Sequence, residues 1–170
     1  MNLPEPNLLI DKIFEKISSK IDQDTCIIGI PSGGSLIVDE LKKKIQEPIN
    51  YGLIDASFYR DDLEISGIKL KQKTTSINFD VDKKKIILID DVFFTGRTIR
   101  AAINEIFDFG RPKEIQLYVL IDRKGNELPI QPNYSGIEID IPKNIFISLD
   151  KEDGNLIFNT TKIDDKPKNK

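Results

Sequence analysis

Residues 86 to 98 read Ile86-Ile87-Leu88-Ile89-Asp90-Asp91-Val92-Phe93-Phe94-Thr95-Gly96-Arg97-Thr98. The four leading aliphatic residues fit a strand buried on both faces. After the segment, Ile99, Ile103, Ile106 and Phe107 recur at helical spacing until Gly110 and Pro112 end the pattern. A buried strand that turns into a helix brings the helix's first amides, which lack intrahelical acceptors, to the strand's carboxyl end. Phe94, Thr95, Gly96, Arg97 and Thr98 lie at that point and read as a phosphate cradle. Gly96 permits a tight turn and close approach to an anion, and the Thr95 and Thr98 hydroxyls add donors. Thr98 equally suits a plain helix N-cap. Asp90 and Asp91 stand beside the cradle as acceptor-only groups, matching the vicinal hydroxyls of a ribose that carries the phosphate. Paired acids also open ordinary solvated loops.

Outward from this segment, Leu8, Leu9, Ile13 and Ile17 predict an amphipathic helix between Asn7 and Lys20, and Cys26 to Ile30 a buried strand. That strand enters Pro31-Ser32-Gly33-Gly34-Ser35 and then a helix carrying Leu36, Ile37, Val38, Leu41 and Ile45, with Lys42, Lys43 and Lys44 near its end. Small residues before a helix offer N–H groups to an anion, or form a tight structural turn. Ile49 to Tyr59 reads as a strand, and Arg60-Asp61-Asp62 opens a polar stretch to about Asp82 that reads as a hairpin or mobile loop. Ile115 to Ile121 predicts a further strand ending at Asp122-Arg123, with shorter pieces at Ile137 to Ile141 and Ile145 to Leu149. Buried strands alternating with helices indicate an α/β fold, a parallel β-sheet flanked by helices on both faces with ligands beyond the strands' carboxyl ends. One domain over residues 1–163 is expected, with 164–170 a frayed tail.

Composition narrows the chemistry. A net charge of −3 with 31% charged residues gives no global preference for nucleic acid or an acidic membrane. The chain has no histidine and one cysteine, Cys26, which removes imidazole-dependent triads, the usual transition-metal sites and any intramolecular disulfide. Met1 to Glu15 fits neither a signal peptide nor a membrane span, so a cytoplasmic location is expected. Walker and dinucleotide fingerprints are absent. Carboxylates, hydroxyls, backbone amides and cations are left to act.

Residues 86–98 resemble the complete thirteen-residue signature with which type I phosphoribosyltransferases bind 5-phosphoribosyl-1-pyrophosphate (PRPP). Ser57-Phe58-Tyr59-Arg60-Asp61-Asp62-Leu63, Arg97-Thr98-Ile99-Arg100-Ala101-Ala102, Gly110-Arg111-Pro112, Leu120-Ile121-Asp122-Arg123 and Glu127-Leu128-Pro129-Ile130 extend the likeness. Together they resemble the pyrimidine-operon attenuator and uracil phosphoribosyltransferase family, PyrR, from about Ile27 to Ile141. The resemblance implies a type I phosphoribosyltransferase fold with a small hood and a mobile loop after Tyr59-Arg60-Asp61-Asp62. It implies conversion of PRPP and uracil to UMP and pyrophosphate, and a homodimer or higher assembly. By the same resemblance Asp90 and Asp91 hold the ribose, Phe94 to Thr98 the 5′-phosphate, and Ser32, Gly33 and Gly34 the pyrophosphate. Ile121 and Asp122 face the base. Asp90, Asp91 and Arg60 are the candidate catalytic residues, and Mg²⁺ is expected to bind through PRPP rather than through protein ligands.

Two departures weigh on this expectation. The family presents threonine, arginine and glycine where this chain has Ser32, Gly33 and Gly34, so a charge-assisted contact with the leaving group is missing. Arg60, Lys71 and Lys73 are candidate substitutes. Lys124-Gly125-Asn126 and Gln131 replace most of the positive charge that the attenuators carry after the Asp-Arg pair, which weighs against RNA binding. Arg111, Arg123 and Lys124 remain as a candidate basic edge. Three alternatives stay open: a uridine-nucleotide-sensing RNA regulator, an enzyme of the same fold acting on hypoxanthine or guanine, and a binder of PRPP or UMP without turnover.

Overall fold

The computed structural model describes residues 3–56 and 75–162. Arg60, Lys71, Lys73 and the stretch from Ser57 to Leu63 lie outside the described residues. Helix α1 spans Pro6–Ser18, strand β1 Thr25–Gly29, helix α2 Gly33–Lys44 and strand β2 Asn50–Leu53. Strand β3 follows at Lys85–Phe93, helix α3 at Arg97–Asp108 and strand β4 at Glu114–Asp122. Strands β5 (Tyr134–Glu138), β6 (Ile145–Glu152) and β7 (Asn155–Lys162) complete the order.

Five strands form one sheet in the order β2-β1-β3-β4-β5, every neighbouring pair parallel. A strand buried on both faces sends alternate side chains to opposite cores. Ile27, Ile87, Ile89, Tyr118 and Leu120 join Leu9, Ile13 and Ile17 of α1 and Ile37 and Leu41 of α2 on one face. Cys26, Ile28, Ile86, Leu88, Leu117 and Val119 join Ile99, Ala102 and Ile106 of α3 on the other. The expected helices therefore cover both faces. Phe107 departs from its expected place in the core, since it is 53% exposed near the end of α3.

The order of strands reverses between β1 and β3, and at such a switch point the connections diverge to leave a crevice. The carboxyl end of β1 leads into the glycine loop, and that of β3 carries the acid pair. Strand β3 also runs further than its aliphatic core suggests. Asp90 pairs with Val119, Val92 with Ile121 and Phe93 with Asp122, so the two acids sit inside the ladder rather than after it. Val92 and Phe93, β-branched and aromatic, suit those additional positions.

The second sheet is an antiparallel hairpin of β6 and β7, packed through β6 against α2 and β3. Its turn is Asp153-Gly154, with φ of 48° and 85°, the left-handed pair that a two-residue hairpin loop requires. Strand β7 was not among the expected elements.

Before β1, Asp22 organises the turn at the opposite end of the sheet. Its carboxylate accepts from Thr25 Oγ1 at 2.9 Å and from the Asp24 amide at 3.0 Å, and pairs with Lys85 Nζ of β3 at 2.5 Å. The Lys85 and Thr25 contacts hold its pKa down at about 2. A carboxylate with a depressed folded pKa contributes stability above its unfolded value, and loses it as the pH falls through the folded one. Urea midpoints measured between pH 5 and pH 2 should therefore fall more steeply for the wild type than for Asp22→Asn. Parallel slopes would show that this pair does not tie β1 to β3.

Candidate active site

Asp90 and Asp91 are 5% and 4% exposed. Buried carboxylates need hydrogen-bond donors to remain charged. Asp90 Oδ1 accepts the Asp91 amide at 3.0 Å, and Asp91 Oδ2 accepts the Leu149 amide of β6 at 2.9 Å. The second acid is thus tied to the C-terminal hairpin. On its other side lies the glycine loop. A Cβ added at Gly33 would fall 2.2 Å from Asp91 Cγ, and one at Gly34 would fall 2.5 Å from the Ile89 carbonyl oxygen. Neither position accepts a larger residue without displacing β3 or its acid. The loop's departure from the family pattern has this geometric counterpart: where the attenuators carry arginine, this chain has the residue that lets the loop close against Asp91.

The two helix starts both lack side-chain caps. Helix α2 begins after Ser32 and α3 after Gly96, neither with a capping side-chain hydrogen bond. Gly96, at φ 89°, occupies the N-cap position itself, so Thr98 is the second residue of α3 and not its cap. The Arg97 amide approaches Thr95 Oγ1 at 3.3 Å. Two helices thus begin at the ends of neighbouring parallel strands, a placement that suits an anion.

The cavity at this end is lined by the acid pair, Phe94 to Gly96 and Thr98, and closed from the far side by Arg123, Phe146 and Ile147. Phe146 and Ile147 belong to the hairpin. Arg123 follows β4 and is 3% exposed, its guanidinium carbon 4.1 Å from the centroid of Phe94 and 5.9 Å from that of Phe146. It donates through Nη2 to the Pro142 carbonyl at 3.0 Å.

The segment from Arg123 to Ile130 is fastened along the phosphate turn. The Arg123 amide donates to the Phe93 carbonyl and the Glu127 amide to the Thr95 carbonyl, both at 2.9 Å. Arg97 Nη2 meets Glu127 Oε2 at 2.7 Å, which holds the Glu127 carboxyl below its ordinary range. Gly125 lies flat on Phe94, where an added Cβ would be 2.1 Å from the ring. Arg97 is thereby committed in part to a carboxylate, and the turn's other donors are backbone amides and hydroxyls.

The side chains of Ile121 and Asp122, expected to face the base, do not line the acid-pair cavity. The Ile121 side chain is fully buried in the core. Asp122 lines a neighbouring groove instead of the acid-pair cavity, and its carboxylate accepts the Lys124 amide at 2.8 Å. The candidate basic edge also dissolves. Arg123 is buried, Lys124 Nζ is paired with Glu138 at 2.6 Å, and Arg111 precedes β4 at the opposite end of that strand, about 26 Å away at ~3.3 Å per residue.

A phosphoribosyl transferase domain model matches residues 4–150. Proteins named Bifunctional protein PyrR are 36% identical over 153 residues in Pseudomonas savastanoi, covering 88% of this chain and 90% of the relative. In Endomicrobium trichonymphae the identity is 42% over 155 residues, covering 85% and 88%. The chain belongs to the PyrR family of phosphoribosyltransferases. Among solved structures, a hypoxanthine-guanine phosphoribosyltransferase from Bacillus anthracis superposes with a TM-score of 0.64 at 20% identity, covering 86% of each chain, and supports the type I fold. A purine phosphoribosyltransferase from Pyrococcus horikoshii does so with a TM-score of 0.61 at 27% identity, covering 79% of this chain and 82% of that one.

The contact between Gly33 and Asp91 yields a counterintuitive expectation. Restoring the family's arginine with Gly33→Arg should not rescue the loop but push Asp91 from its place, at a cost of about 1–3 kcal/mol of overpacking. Lower urea midpoints and no gain in pyrophosphate release are the expected outcomes. An unchanged midpoint with faster turnover would show that the loop re-forms around the arginine.

Proposed function

We propose that this protein transfers the phosphoribosyl group of PRPP to uracil, giving UMP and pyrophosphate. The observation that carries the reading is the meeting, at one switch point, of an acid pair and two uncapped helix starts. That arrangement suits a ligand with a phosphate at one end, a diol in the middle and a second phosphate group at the other. On this reading the amides and hydroxyls of Thr95, Gly96 and Thr98 receive the 5′-phosphate. Asp90 and Asp91 accept from the ribose hydroxyls, and the Ser32-Gly33-Gly34 loop receives the pyrophosphate through the amides of Ser32 and Gly33, since that of Gly34 donates to the Ile30 carbonyl.

The anomeric carbon's bond to the pyrophosphate oxygen breaks as its bond to uracil N1 forms, and the N1 proton is released to solvent. The protein's contribution is positioning and electrostatic stabilisation of the departing anion, with no covalent nucleophile. Among the described residues no three acids, cysteines or histidines gather as a metal cage. The buried carboxylates of Asp90 and Asp91 are the side chains beside which a PRPP-bound Mg²⁺ fits. Such an ion supplies neutralisation of the leaving group.

Membership of the PyrR family supports uracil as the acceptor over the purines named for the structural neighbours, whose identity to this chain is 27% or lower in the two described above. The buried Arg123 and the paired Lys124 leave no continuous cationic edge for attenuator RNA among the described residues. The reading further includes a cytoplasmic location and a homodimer or higher assembly. No helix among the described residues is long and apolar enough to cross a membrane.

Pyrophosphate release from PRPP and Mg²⁺ tests the assignment, run with uracil beside hypoxanthine and guanine. Turnover with uracil alone is expected, with kcat reduced about 100- to 1,000-fold in Asp90→Asn, the scale of losing a group poised at the reacting centre. Turnover with a purine instead would overturn the choice of base. UMP binding without turnover on any base would overturn the enzyme.

A further inference from the structure

Arg123 is the only cation among the described residues that line the acid-pair cavity. It is also 3% exposed. Burying a guanidinium at the wall of a ligand site is costly unless its donors are used. Its Nη2 donates to the Pro142 carbonyl. The planar group lies over Phe94, which fixes its orientation and leaves hydrogen bonding to its in-plane edge. Phe94 immediately precedes the Thr95–Thr98 phosphate turn, and Phe146 stands on the far side. With the ribose at the acid pair and its phosphate at the turn, the wall that the described residues leave for the base is the one made by Phe94, Arg123 and Phe146.

From this geometry we infer that Arg123 reads the pyrimidine ring and selects uracil over cytosine. The inference rests on the proposed phosphoribosyl transfer to a pyrimidine and deepens it. A guanidinium offers donors and no acceptor. Uracil presents an acceptor oxygen at both exocyclic positions, whereas cytosine presents an amino donor at C4. Donor facing donor leaves both groups unsatisfied in a buried site, and discrimination then comes from repulsion as well as attraction. Sites built to hydrogen-bond one exocyclic group reject the analogue lacking it by large factors. The expected adjustment to the family pattern is also clear: Ile121 and Asp122 mark the end of the right strand, but the selecting side chain is the next residue along.

The test uses the full-length chain, with Arg123→Lys and Arg123→Met beside the wild type. Steady-state kinetics with uracil and with 4-thiouracil, whose C4 sulfur is the poorer acceptor, are read together with the dissociation constant for PRPP. For Arg123→Met the KM for uracil should rise about 100-fold, with PRPP binding within about twofold of wild type. Arg123→Lys should recover part of that loss. The wild type should prefer uracil to 4-thiouracil by about tenfold, and Arg123→Met should lose the preference. Parallel weakening of uracil and PRPP, or a preference unchanged in Arg123→Met, would overturn the inference and leave Arg123 as a structural tie to Pro142. If the wild type turns over no base, the proposed transfer fails separately. Equilibrium binding of UMP against CMP then decides the role of Arg123: wild type should favour UMP at least tenfold and Arg123→Met should not, and equal binding of the two nucleotides by wild type would overturn it.

Discussion

Burying the Asp91 carboxylate at the end of β3 would be unfavourable in isolation, and three separate parts of the chain are shaped around it. The hairpin supplies a backbone donor through Leu149, a charge-assisted hydrogen bond of a kind that contributes about 1.5–3 kcal/mol. The glycine loop supplies close packing, because Gly33 has no Cβ to strike the carboxyl carbon. The sheet supplies the ladder that carries Asp90 and Asp91 past the aliphatic core of β3. Each of these holds its neighbours in place. The hairpin cannot shift without uncovering a charge, and the loop cannot gain a side chain without displacing one.

The same economy joins the phosphate turn to the segment after β4. Residues 93 to 98 and 123 to 130 are distant in sequence, yet two backbone hydrogen bonds, one ion pair and the seat of Gly125 on Phe94 make them a single unit. This explains physically why the Asp122-Arg123 and Glu127-Leu128-Pro129-Ile130 segments accompany the phosphate signature. The second segment backs the first, and a Cβ added at Gly96 would lie 3.6 Å from Leu128 and 3.7 Å from Ile130.

Much of this was legible in the residues. The aliphatic runs located the central strands, and the strand-turn-helix order at 86–98 placed the acid pair and the cradle together. What was lost depended on length and direction. A four-residue apolar run does not say that Val92 and Phe93 prolong the ladder, since only pairing with Ile121 and Asp122 does. Strand β7 carried its own signal, an Asp-Gly pair between β6 and the apolar run Leu156-Ile157-Phe158, which the polar residues after it obscured. Charge was the least readable property. Arg123 looks like a surface cation beside Lys124, but one residue of strand geometry turns it into the cavity while its neighbour pairs with Glu138.

That division of cations bears on how a polyanionic substrate is held. Within the described residues the cavity offers two carboxylates and one guanidinium, while the phosphate-loop arginine is engaged with Glu127. Side-chain charge there does not favour PRPP. The compensating field comes from the fold: two helices, α2 and α3, start at adjacent strand ends with no acidic residue in their first turns and no side-chain hydrogen bond from their N-cap residues. Backbone dipoles cost no side-chain entropy to hold in position and cannot be swung away by neighbouring acids. A site built on them tolerates glycine where relatives use arginine, because close approach of the amides replaces the reach of a long cation. On the proposed reading Gly33 follows from anion binding by backbone amides, and the crowding that excludes a side chain from the loop is what would bring those amides near the ligand.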